Sequence, residues 1–145
     1  MIFFYDFRYS SSIRMAVPDK DVHISLEDQQ KINKFARQNQ KLEDLKDELK
    51  AKENEIVTLN DAATDVEEMS LTSDDGEKIP YLVGEIFVME LPDDVLVLLE
   101  EKKTELKGEI KVLEDQATGI KGIMTDLKTH LYAKFGDAIN LEADD

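Results

Sequence analysis

Cysteine is absent from the 145 residues of this chain. That excludes a disulfide framework and any thiolate metal site, and it fits a reducing compartment. Tryptophan is absent too, aromatic residues make up only 7%, and charged residues reach 35%. A large globular core is not built from such a mixture, whereas long amphipathic helices are. Positive charge is also scarce. Eighteen Lys and Arg stand against 33 Asp and Glu, a formal net charge of −15. That excess repels phosphate backbones and anionic lipid surfaces, so direct nucleic-acid or membrane binding is not expected. The length suits one structural unit. With little core to build, its stability should come from a thin seam and from partner chains, as in an obligate oligomer.

The residues of an active site are missing as well. His23 and His130 lie far apart, and neither has a partner at metal-ligand spacing. His130 reads as a solvated helix position. The serines fall in caps, turns and the N-terminal stretch. Gly119-Ile120-Lys121-Gly122 sits inside a helical repeat and makes no phosphate loop. The many carboxylates belong to solvated helix faces, where burial does not tune a pKa. We therefore expect no catalysis, no metal and no cofactor.

The start, Met1-Ile2-Phe3-Phe4-Tyr5-Asp6-Phe7, is apolar, but Asp6 and Arg8 cut it short. It lacks a basic region ahead of the apolar part and a small-residue cleavage pattern. It is far below the roughly 20 residues that span a bilayer. Residues 1–21 read as a disordered extension, with Met15 as an alternative start. Residues 22–145 read as the folded domain.

What is present is two long heptad stretches around one short strand-like run. Ser25-Leu26-Glu27-Asp28 has the residues of a capping box. The Ser hydroxyl accepts from the exposed amide of Asp28, whose carboxylate reaches back to the cap. From there a helix is expected over about 26–68. Its a positions are Phe35, Leu42, Leu49, Ile56 and Ala63, and its d positions are Gln38, Leu45, Lys52, Leu59 and Val66. Pro92-Asp93-Asp94 opens a second helix over about 92–135, since Pro suits the first helical position and acids suit the helix dipole. Its a series is Leu96, Lys103, Ile110, Ala117, Met124 and Leu131, and its d series is Leu99, Leu106, Leu113, Ile120, Leu127 and Lys134. A repeat of about 3.5 residues sustained this long means a left-handed coiled coil.

Between the helices, Thr72-Ser73-Asp74-Asp75-Gly76 is a helix breaker, and residues 79–89 are β-branched and aromatic. Gly84-Glu85 at the centre suits a two-residue type II′ turn. Val83 should then face Ile86, and Tyr81 should face Val88, with Leu82 and Phe87 on the opposite face. Both faces of this hairpin are apolar. Two strands alone are marginal in water and leave two unpaired edges, so the hairpin should join other strands. The fold expected is mainly α: an antiparallel two-helix coiled-coil hairpin with one β-hairpin at the bend.

Three segments carry a resemblance. They are Leu26-Glu27-Asp28-Gln29-Gln30-Lys31-Ile32-Asn33-Lys34-Phe35-Ala36-Arg37-Gln38-Asn39, the central Ile79-Pro80-Tyr81-Leu82-Val83-Gly84-Glu85-Ile86-Phe87-Val88, and the ending Leu131-Tyr132-Ala133-Lys134-Phe135-Gly136 with Ile139-Asn140-Leu141-Glu142-Ala143-Asp144. They resemble the prefoldin family over about residues 22–145, and one hairpin per chain matches its β-type subunits. The resemblance implies a cytoplasmic heterohexamer that works as an ATP-independent co-chaperone, with a nuclear pool as a further location. Its α- and β-type subunits join through β-hairpins into a double barrel. Coiled-coil arms hold unfolded proteins, such as actin and tubulin, for transfer to the group II chaperonin.

On this reading Ile79, Tyr81, Val83, Gly84, Ile86, Phe87 and Val88 are the assembly residues. Leu26, Ile32, Phe35, Leu127, Leu131, Tyr132, Phe135 and Ile139 gather where the helix ends meet. They form either a client-binding arm tip or a staple of the helix ends. Two rival functions share the same fold features: a coiled-coil scaffold or tether, and a subunit of a nuclear prefoldin-like complex.

Overall fold

The computed structural model describes residues 14–15 and 23–141. In chain order the elements are β1 (Arg14–Met15), α1 (Leu26–Thr72), β2 (Ile79–Val83), β3 (Ile86–Glu90), α2 (Pro92–Phe135), a 3-10 turn (Gly136–Ala138) and β4 (Ile139–Asn140). Two long helices therefore flank an antiparallel hairpin, as the heptads and the central run require. Arg14 and Met15 pair with Asn140 and Ile139 in a short antiparallel ladder, so these two residues of the 1–21 stretch form a strand. The rest of that stretch lies outside the described residues.

The burial pattern follows the heptads. All ten a and d positions assigned to α1 are buried or half-buried, and so are eleven of the twelve assigned to α2, Lys134 being the exception. A residue on the seam is shielded by the facing helix, and one on any other heptad position is mostly not. α1 runs one turn beyond the expected end. The Thr72 hydroxyl donates to the carbonyls of Glu68 and Met69 at 3.1 and 3.3 Å, and the Ser73 amide donates to Met69 O at 2.9 Å. The chain then turns through Asp74–Glu77, where Gly76 takes a φ of 95°.

The chain divides into two compact units, residues 48–113 and residues 1–47 with 114–145. The first has a core of Val66, Ile79, Val95 and Leu99, with Leu59, Ala62, Ala63, Tyr81 and Leu96 packed against it. Two polar seam positions set its register. Lys52, at a d position, reaches Glu109 at 2.5 Å, and Lys103, at an a position, donates to Asn60 Oδ1 at 3.1 Å. Asn60 lies further along α1 while Lys103 lies further back along α2, so the pairing is antiparallel. The Glu109 hydrogen bond holds the Lys52 pKa above its ordinary value, and the same contact lowers that of Glu109. Polar seam residues of this kind reduce stability and specify register.

The second unit is closed by Ile32, Phe35, Leu131, Phe135, Ile139 and Leu141, with Ile24, Met124, Leu127, Tyr132 and Ala138 against them. Gly136, at a φ of 52°, takes the chain out of α2, and the 3-10 turn then returns Ile139 and Leu141 to the cluster. The Tyr132 hydroxyl accepts from the Leu141 amide at 2.9 Å.

Candidate functional site: an uncovered hairpin

The hairpin register is set by its turn. Gly84 has a φ of 61°, which the first central residue of a primed turn requires. Val83 then pairs with Ile86, Leu82 with Phe87, Tyr81 with Val88, Pro80 with Met89 and Ile79 with Glu90, as the Gly84-Glu85 centre predicts. Alternation puts Ile79, Tyr81, Val83, Ile86 and Val88 on one face and Leu82, Phe87 and Met89 on the other.

The two faces are not equally free. On the first, Ile79 is buried against Val66, Val95 and Leu99, and Tyr81 packs on the same cluster. Ile79 therefore belongs to the chain's own core and not to an open assembly face. The helices reach only this base of the hairpin. Nearer the turn, Val83 and Ile86 are 55% and 70% exposed, and on the second face Leu82, Phe87 and Met89 are 54%, 66% and 52% exposed. Among the described residues no third strand joins this sheet, so both outer edges are unpaired. Exposed Met69, Leu71, Leu91 and Val97 belong to the same unit. Covering the hairpin side chains would stabilise by about 1–2 kcal/mol each. An exposed apolar surface with two open backbone edges has the features by which further strands pair and pack.

The helix-end residues are placed otherwise. Of the eight named for a client-binding tip, Ile32, Phe35, Leu131, Phe135 and Ile139 are buried together, and Leu127 and Tyr132 pack against them. Only Leu26, 76% exposed, is open. The other seven side chains are packed as a staple would pack them, with Gly136 turning the chain so that Ile139 and Leu141 return to the cluster.

That staple contains an ion pair between buried Asp28 and exposed Lys134, which the sequence reading missed. Asp28 is 3% exposed. Its carboxylate accepts from the Ser25 amide at 3.0 Å, from the Ser25 hydroxyl at 2.7 Å and from Lys134 Nζ across the two helices. The Asp28 amide donates to Ser25 Oγ at 3.2 Å, completing the capping box. Burial alone would raise the Asp28 pKa, but the Lys134 and Ser25 hydrogen bonds outweigh it and hold the value at about 2, against 3.8 ordinarily. A value lowered by folding gives stability that is present above the unfolded value and is lost as pH falls through the folded one. Melting temperature should therefore drop between about pH 4 and pH 2. In Asp28→Asn the start at neutral pH should be lower and this acid slope shallower. Equal acid slopes in the two proteins would show that Asp28 is not the group responsible.

Among the described residues no group of three His, Cys, Asp or Glu is placed to hold a metal, and no helix is long and apolar enough to cross a membrane.

The chain is similar to known proteins over most of its length. The family model described as "Prefoldin subunit" matches residues 29–138. Prefoldin subunit 4 of Homo sapiens and that of Bos taurus are each 43% identical over 126 residues, covering 87% of this chain and 92% of theirs. The probable prefoldin subunit 4 of Drosophila melanogaster is 44% identical over 125 residues, 86% of this chain and 88% of its own. Among solved structures, the prefoldin beta subunit from Thermococcus strain KS-1 has a TM-score of 0.65 at 18% identity, covering 77% of this chain and 95% of that one. At that identity the likeness is one of fold.

Proposed function

The chain belongs to the prefoldin subunit family, and from that premise we propose that it is a β-type subunit of a heterohexameric, ATP-independent co-chaperone. It assembles with α- and β-type subunits through β2 and β3. The complex captures unfolded proteins, actin and tubulin among them, and passes them to the group II chaperonin in the cytoplasm. The observation that carries the assembly role is the hairpin: Leu82, Val83, Ile86, Phe87, Val88 and Met89 are all exposed, and no described strand covers them. On the client side, Leu26 is the tip residue open to a bound chain, and the other seven hold the helix ends.

Reconstitution tests both roles. Expressed alone at micromolar concentration, the chain should be helical and self-associated. Co-expressed with the other subunits, it should give one discrete species by sedimentation. That species should suppress aggregation of a chemically denatured client without nucleotide, and Leu26→Ser should weaken suppression while leaving assembly and melting unchanged. A well-behaved soluble monomer would refute the assembly role, and unaltered suppression by Leu26→Ser would remove Leu26 from the client surface.

A further inference from the structure

A second surface stands out by its charge. The chain carries a formal net charge of −15, yet Gln29–Leu42 contains four cations and no acid. Lys31 in this run pairs with Glu27 at 2.9 Å. Lys34, Arg37 and Lys41 do not pair with any acid among the described residues, and all three are exposed. The only acid three or four residues from any of the three is Asp44, and it accepts from Gln40 at 2.9 Å. Elsewhere on these helices, Lys46, Lys52, Lys102, Lys103 and Lys134 each meet a carboxylate. Acids outnumber cations nearly two to one in the whole chain, yet this run of fourteen residues contains none.

Their spacing makes the arrangement unfavourable for the helix itself. Lys31 and Lys34, Lys34 and Arg37, and Arg37 and Lys41 are like charges three or four residues apart on one face of α1. Such pairs destabilise a helix as opposite charges stabilise it. The Arg37 Nε donates to the Asn33 carbonyl at 3.3 Å, but no carboxylate offsets the repulsion, and a local rule broken in this way is expected at a functional surface. Gln30, Gln38 and Gln40 flank the cations and share one open surface depression with them, adding carboxamide N–H donors.

We propose that Lys34, Arg37 and Lys41 form a docking stripe for an acidic segment of another polypeptide. Residues 34 to 41 span about 10 Å of helix, a length that matches a short run of carboxylates. A nucleic acid fits less well, because its charge extends past the stripe into the field of the surrounding acids. The stripe belongs to the unit of residues 1–47 and 114–145, and the hairpin belongs to the other. Docking here therefore does not depend on the assembly reading.

Fluorescence anisotropy with a labelled octaglutamate peptide tests the proposal on the full chain in its co-expressed complex. If no complex forms, the assembly reading has failed, and the same titration proceeds on the chain alone. Saturable binding is expected near 50 mM salt, weakening about tenfold by roughly 300 mM as screening grows. The triple variant K34E/R37E/K41E should weaken it by at least about tenfold. The equally charged K50E/K107E/K111E, altered at exposed lysines elsewhere, should change it less than about twofold. Circular dichroism should show both variants as helical as the parent. The proposal is overturned by no binding at low salt, by equal loss in the two triples, or by an octanucleotide that binds as tightly as the peptide.

Discussion

Phe87→Asp should abolish assembly with partner subunits while leaving the chain's own fold intact. Phe87 is 66% exposed and lies opposite Leu82, itself 54% exposed, across the hairpin. Little intrachain packing is therefore lost when the ring is removed. Under neighbouring strands the same position is desolvated, and a carboxylate there loses its water without gaining a partner. An uncompensated buried charge costs several kcal/mol, to which the lost apolar burial adds about 2 kcal/mol. Each 1.4 kcal/mol is about tenfold in affinity, so weakening of at least roughly a thousandfold is expected. At micromolar concentration the discrete complex should disappear on gel filtration, with helicity unchanged by circular dichroism. Ile123→Asp is the matched control: Ile123 is 40% exposed on α2, in the unit that does not contain the hairpin, and the substitution should leave assembly in place. A Phe87→Asp chain that still entered the complex would mean that the hairpin is not the assembly surface.

The helices and the hairpin were legible because each rests on a period. Heptads repeat along α1 and α2 whatever lies beside them, and they named the shielded positions, down to polar Lys52 and Lys103. Gly84-Glu85 set the strand register because few other residues tolerate the φ that the turn needs. What the sequence did not reveal depends on how distant segments meet. Alternation showed that Ile79 shares a face with Val83 but not that the helices reach only the base of that face. The apolar residues at the helix ends were grouped correctly, yet their mutual burial needed the register between α1 and α2. That register is written in Lys52–Glu109 and Lys103–Asn60 in one unit and in Asp28–Lys134 in the other. These are pairs of common charged and amide residues, with nothing in their spacing to announce them. The β1–β4 ladder is two residues long on each side, too short to leave any periodic signal.

Leu131→Ala should be the most destabilising of the single truncations at the helix ends, with assembly preserved. Leu131 is 1% exposed and lies among Ile32, Phe35, Phe135, Ile139 and Leu141. Removing a buried leucine side chain costs its transfer free energy and leaves a cavity, together about 2–5 kcal/mol. For a chain of this size that is a fall of roughly 10 °C in melting temperature, read on the assembled complex. Leu106→Ala removes an equally buried leucine, 2% exposed, but from the two-helix seam. There, fewer neighbours line the gap and the helices can close on it, so its cost should lie near the low end of the same range. The pair of variants also separates the two readings of the helix ends. If Leu131 is a staple, its truncation lowers melting and raises hydrogen exchange over residues 26–35 and 128–141. If it contacts clients directly, suppression of client aggregation falls and melting stays where it was. Its burial against five apolar neighbours argues for the first outcome, and a melting point unchanged within about 1 °C would establish the second.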